Sequence, residues 1–247
     1  MLLSKACNLI GIVVIAYARH GCFAPNSVAN LFRGEQQKNI DWAFLQALKT
    51  THVDPQQGIM LIYDIACQYM VHLKDRIRHL WLTGLTVDGA IGLFHVHGHK
   101  DVCFFRFATS FILGAVVLIG EILESLWANL NAVAPAMRTA TLAHRAEIMD
   151  DHMTDSNHKK SLAMSRTLAE RYIQAATICE SARDYYDKLA SGIILEDIKI
   201  WEDEISHAER DHMRDRSVMD IMGANTQDKD PAAAGHGDTD VNDDPVI

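Results

Sequence analysis

Two acidic positions at the ends of separate apolar segments are the first chemical signal. Asp64 follows the five apolar residues of "IMLIY", a run that predicts a buried strand delivering an acid at its C-terminal end. Glu121 lies 57 residues farther on, in "GEILESLW", with Glu124 three residues behind it. At 100° per residue the two glutamates share one helix face, while Ile119, Leu123, Leu126, Trp127 and Leu130 fall on the other side. Carboxylates distant in sequence and drawn together by folding are what a pair of Mg²⁺ ions requires. Mg²⁺ prefers hard oxygen ligands and leaves its other positions to water and phosphate. Such ions activate a water or a 3′-hydroxyl and stabilise a leaving oxygen. On spacing alone a solvated helix face is the better reading of the same glutamates.

His95, His97, His99 and Cys103 form a second cluster. On a helix His95, His99 and Cys103 would share a face and could hold Zn²⁺ with an open fourth position, whereas on a strand the three histidines would share one side. The alternative is that one or two of them are buried and hydrogen-bonded in the core. A third group is basic. Arg138, Arg145, Lys159 and Lys160 flank "EIMDDHMTDSNH" and could meet phosphate, or the segment is an exposed helix-loop-helix capped at Asp155 and Ser156. Glu35, Gln36, Asn39 and Asp41 of "GEQQKNIDW" suggest no chemistry by spacing.

The elements that must position these groups read as a mixed chain. Ile10 to Ala16 is a β-branched run and predicts a strand. A helix is expected from Asn26 or Ser27 to Thr50, interrupted at Gly34, and another from Cys67 to Trp81. "AIGLFHV", after the turn at Asp88-Gly89, is a strand candidate. From about Ala108 to Ile221 the pattern is almost all helix, with amphipathic stretches through Leu168, Tyr172 and Cys179 and through Ile198, Trp201 and Ile205.

Seven short motifs in order, "ARHGCFAP", "GEQQKNIDWAF", "YDIACQY", "FHVHGHKDVC", "GEILESLWANLN", "RAEIMDDH" and "NHKK", resemble the KDZ (Kyakuja-Dileera-Zisupton) transposases from about Ala18 to Lys160 and faintly to Met219. The resemblance implies an α/β, RNase H-like core of the DDE/D type that cleaves and transfers DNA strands with Mg²⁺ or Mn²⁺ in the nucleus. It carries the second aspartate onto Asp64 and the final glutamate onto Glu121, with Glu124 as a second glutamate of that motif. Three positions depart from the family pattern. Asn30 and Ile119 stand where aspartate is usual, and Tyr17 where cysteine is usual. The family's first acid belongs to a segment upstream of "RHG" that has no counterpart here. The expectation is therefore a partial core lacking its first strands at 1–135, a helical region at 136–222 and a disordered acidic tail at 223–247. Its function would be that of a truncated, inactive relic or gene fragment of a transposase. The rival expectation is a non-enzymatic helical protein that uses the surfaces around Tyr172 and Trp201 for partners or self-association.

Composition bounds these readings. A 247-residue chain that is 49% hydrophobic can bury a sizeable core. Of the net charge of −9, the six aspartates and one lysine after Met222 contribute −5, so the body is mildly acidic and a DNA-binding surface must be local. Five scattered cysteines without C-x-x-C spacing speak against a disulfide framework and for a reducing compartment. The first 18 residues fit either a signal peptide or a strand, and no apolar run reaches the ~20 residues of a spanning helix.

Overall fold

The computed structural model describes residues 10–115 and 122–223. Its first strand, β1 (Gly11–Ala16), pairs antiparallel with β2 (Phe23–Leu31). The second strand corrects the expectation of a helix beginning at Asn26 or Ser27. Asn26 adopts a left-handed φ of 56°, which asparagine tolerates better than most residues. The Ser27 hydroxyl donates to the carbonyls of Ala24 at 2.6 Å and Ile15 at 3.2 Å instead of capping a helix. These bonds accompany a register slip between Val14 and Ala16, so pairing with β1 overrides a locally helical pattern.

The expected helix starts only beyond Gly34, whose φ of 85° turns the chain. It is α1 (Gln37–Thr50), and it buries Ile40, Phe44 and Leu48, spaced four apart, against the hairpin and the strand that follows. That strand, β3 (Ile59–Ile62), pairs in parallel with β4 (Val87–Ala90). Parallel strands need a crossover, and α2 (Ala66–Arg76) with a 3-10 turn at Arg78–Leu80 supplies it.

The strand candidate "AIGLFHV" is a second correction. Strand β4 ends at Ala90, Ile91 makes an isolated bridge to Ala108, and Leu93–Val96 is a helical turn, α3, followed by α4 (Asp101–Phe107). Helix α2 crosses β4 at Gly89, where a Cβ would lie 2.4 Å from Met70 Cγ. The strand thus runs through a glycine that β-propensity disfavours, and the apolar residues after it serve short helices packed around Val96.

A separate core joins the hairpin to α5 (Ile122–Asn131), α6 (Ala134–Thr139) and the start of α7 (Leu142–Ala190) through Val14, Phe23, Leu126, Leu130, Met149 and Met153. Helix α7 is one continuous helix of 49 residues capped by Thr141, whose hydroxyl accepts from the His144 amide at 3.3 Å. The expected break with caps at Asp155 and Ser156 does not occur. Both side chains lie mid-helix, and Asp155 instead pairs with Lys159 one turn on at 2.6 Å. Helix α8 (Leu195–Asp211) leads to a 3-10 stretch at Arg216–Gly223. Between them His212, 1% exposed, sets its ring nitrogens 2.9 Å from the Arg106 carbonyl and 3.1 Å from that of Phe111.

The chain is therefore mixed α/β at first and mainly helical afterwards, as expected. Among the described residues β1 pairs only with β2, and β3 only with β4. Strands β1 and β3 line a cleft of about 650 Å³, together with Phe44 and Leu48 of α1 and Ile122 and Leu123 of α5. Among the described residues no helix is long and apolar enough to cross a membrane. The acidic tail and most of the signal-like N-terminal run lie outside the described residues.

Candidate carboxylate and metal sites

Asp64 stands two residues beyond β3, with its side chain 62% exposed. What holds it there are the tyrosines on either side. The Tyr63 amide donates to the Ala90 carbonyl at 2.9 Å, prolonging the parallel ladder, and its hydroxyl donates to Glu35 at 2.6 Å. Burial, then the bond to Glu35, pushes the Tyr63 hydroxyl well above the ordinary phenol range, so it stays a donor. Tyr69, fully buried on α2, meets the Tyr63 ring edge-on at 5.3 Å and donates to Asp41 at 2.6 Å. Arg76 closes the set, donating to Asp41 at 2.9 and 3.0 Å. The acids of "GEQQKNIDW", opaque in sequence, are thus the anchors of the two tyrosines of "YDIACQY". Two short stretches rich in acid and in tyrosine were the signal, but only the fold pairs them.

His95, on α3, points at the same mouth. Its Nε2 lies 3.6 Å from Asp64 Oδ1 and 3.9 Å from Glu124 Oε1, just beyond hydrogen-bond length. Glu124 occupies the first turn of α5 with its side chain 65% exposed, while Leu126 and Leu130 bury the opposite face. The two carboxylate oxygens thus flank a single nitrogen at the mouth. Glu121 lies outside the described residues.

The histidine row is neither a helix face nor a strand face. Short helices α3 and α4, broken at Gly98, split it in three. His95 turns to the carboxylates, and His97 lies against the Phe104 ring at 5.4 Å. His99 and Cys103 meet Cys67 of α2, which sequence spacing did not connect to them. The metal-binding atoms of these three lie within 4.8 Å of one another, with Cys67 Sγ 3.5 Å from His99 Nδ1. Burial and the neighbouring Cys103 push the Cys67 thiol up.

The basic residues divide as well. Arg138, at the end of α6, and Lys159 are exposed, and Arg145 is half-buried with its Nε lacking any partner. Lys160 is committed elsewhere. Its ammonium donates to the Gly21 carbonyl at 2.6 Å and sits 5.6 Å from the Phe23 ring centre, and burial lowers its pKa. Beside it Asn157 clamps Phe23, accepting from its amide at 2.7 Å and donating to its carbonyl at 3.0 Å, while Arg171 donates to the Arg19 carbonyl. Burial, then the charges of Lys160 and Arg171, lowers the pKa of His20. Helix α7 thus grips the "RHG" turn, and Arg19 and Arg171 join the basic surface.

Comparison with known families gives a match of the KDZ model, described as Kyakuja-Dileera-Zisupton transposase, to residues 3–157. The matched span covers both strand pairs, the carboxylate mouth and the first turns of α7. Comparison with curated proteins and with solved structures gives no match.

Proposed function

The chain belongs to the Kyakuja-Dileera-Zisupton transposase family, and from that premise we propose that it is a transposase-derived protein whose Asp64 and Glu124, with Glu121, form a divalent-cation site for DNA phosphate. The observation that carries this reading is the convergence of Asp64, His95 and Glu124, from β3, α3 and α5, at one solvent-open mouth. The donor set suits Mg²⁺ or Mn²⁺, because it offers exposed carboxylate oxygens and leaves room for water and phosphate. When bound, such an ion supplies an activated water or 3′-hydroxyl and charge stabilisation at the leaving oxygen.

The protein's own groups do the rest. The Tyr63–Glu35 and Tyr69–Asp41–Arg76 contacts fix the turn that presents Asp64. His95 stands between the two carboxylates. Arg19, Arg138, Arg145 and Lys159 are the phosphate-contacting cations of this reading, and action on DNA implies the nucleus. The hairpin and the parallel pair are read as the two flanks of an RNase H-like sheet, which the cleft between β1 and β3 supports. Asn30 and Ile119, standing where the family pattern has aspartate, fit a relic that binds metal and DNA and does not cut.

The test is labelled duplex DNA with Mg²⁺ or Mn²⁺, comparing the natural chain with an Asp64→Ala, Glu121→Ala, Glu124→Ala variant. The expected result is metal-dependent DNA retention that the variant loses, with cleavage in neither. Metal-dependent cleavage by the natural chain alone would show an active enzyme, and metal-independent retention by both would remove the site. A second reading, self-association through α7 and α8, is favoured by exposed Tyr172, Ile173, Tyr185 and Trp201, which are 77, 65, 65 and 50% accessible. Light scattering that finds a concentration-independent monomer would exclude it.

A further inference from the structure

We propose that Cys67, His99 and Cys103 bind one Zn²⁺ that staples the crossover helix α2 to the α3–α4 segment and thereby holds His95 at the carboxylate mouth. The trio joins three stretches of chain: the first turn of α2, the turn after Gly98 and the middle of α4. Two thiolates and an imidazole are soft and borderline donors, the set that selects Zn²⁺ over the oxygen-seeking Mg²⁺.

The geometry is close to that of a tetrahedral ion. With Zn–S near 2.3 Å and Zn–N near 2.05 Å, the sulfur–nitrogen edge of the tetrahedron is about 3.6 Å. Cys67 Sγ and His99 Nδ1 stand 3.5 Å apart. The widest separation in the trio, at most 4.8 Å, needs to close by no more than about 1 Å to reach the sulfur–sulfur edge of about 3.8 Å, a rotamer-scale adjustment for half-buried side chains. The fourth position is left to water.

The fold has a use for such a staple. Helices α3 and α4 have 4 and 7 residues, far below the length at which a helix holds itself. Their apolar contacts gather around Ile91, Val96 and Ala108, behind the turn that carries His99. A cation at the trio ties that turn to α2 one helical turn past Asp64, so the distance between His95 and Asp64 is set from both ends. This proposal does not rest on the carboxylate reading, since the three ligands include neither Asp64 nor Glu124.

The experiment uses the full chain, purified under reducing conditions without chelator, for zinc stoichiometry and for Co²⁺ substitution. One zinc per chain is expected, and cobalt should give the thiolate charge-transfer band and the visible bands of tetrahedral coordination. Cys67→Ser, Cys103→Ser and His99→Gln should each weaken Zn²⁺ binding on the order of 100-fold or more. His95→Ala and Asp64→Asn should leave it unchanged. A folded natural chain that takes up no zinc, or forms a Cys67–Cys103 disulfide in its place under those conditions, overturns the proposal. So does loss of the cobalt spectrum in His95→Ala with retention in Cys67→Ser.

Discussion

Replacing Asp41 by alanine removes the acceptor on which α1 and α2 are locked together. In the native protein its carboxylate, with a side chain 10% exposed, receives the Tyr69 hydroxyl at 2.6 Å and two Arg76 nitrogens at 2.9 and 3.0 Å. Removal leaves a buried hydroxyl and a guanidinium without their anion. Breaking a buried pair on one side costs about 3–5 kcal/mol. The guanidinium keeps a fallback, because its side chain is 23% exposed and also reaches the Tyr69 carbonyl at 3.3 Å, so the lower end, about 3 kcal/mol, is the expected loss. Urea denaturation with an unchanged slope measures it. Removing both charges tests the cause. Asp41→Leu with Arg76→Met should recover much of the loss, with a coupling of about 2 kcal/mol between the two positions. A cost below about 1 kcal/mol for Asp41→Ala, or strict additivity in the pair, would refute the lock.

Gly89→Val should destabilise the crossover by about 2–3 kcal/mol, because the new side chain meets Met70, and Met70→Ala should relieve part of that cost in the same denaturation assay. Asn157→Ala leaves both backbone groups of Phe23 without their partner and should cost about 2 kcal/mol, with faster amide exchange at Phe23 as the local readout. The bond from Arg106 holds the Asp220 carboxyl below the usual range, so the unfolded state binds the proton more readily and the pair stabilises above a pH of about 4. That contribution fades as pH falls through the depressed value. At half-exposed Asp220 it is worth about 0.5 kcal/mol, read as a deficit of Asp220→Asn at neutral pH that disappears in acid.

Asp64 was legible because an apolar run ending in an acid is a local pattern, and the structure places it just past β3 as that pattern predicts. Glu124 was legible as the polar side of an amphipathic turn. Strand β2 was not, since Asn26 and Ser27 are good caps and only pairing with β1 makes them a bulge. The histidine row misled because periodicity assumes one regular element, and Gly98 divides this one. Cys67 could not be tied to His99 by spacing, as the contact spans 32 residues and depends on the parallel crossover. The helix-breaking expectation at Asp155 failed because that residue faces solvent, paired with Lys159, on a helix whose buried stripe passes through Met149 and Met153.

Mn²⁺ binding followed by electron paramagnetic resonance tests most directly whether Asp64 and Glu124 belong to one divalent-cation site. A saturable site in the natural chain, weakened about 10-fold by Asp64→Asn or by Glu124→Gln and little further by both together, is the predicted result. Equal Mn²⁺ affinity in the natural chain and the double variant would contradict it.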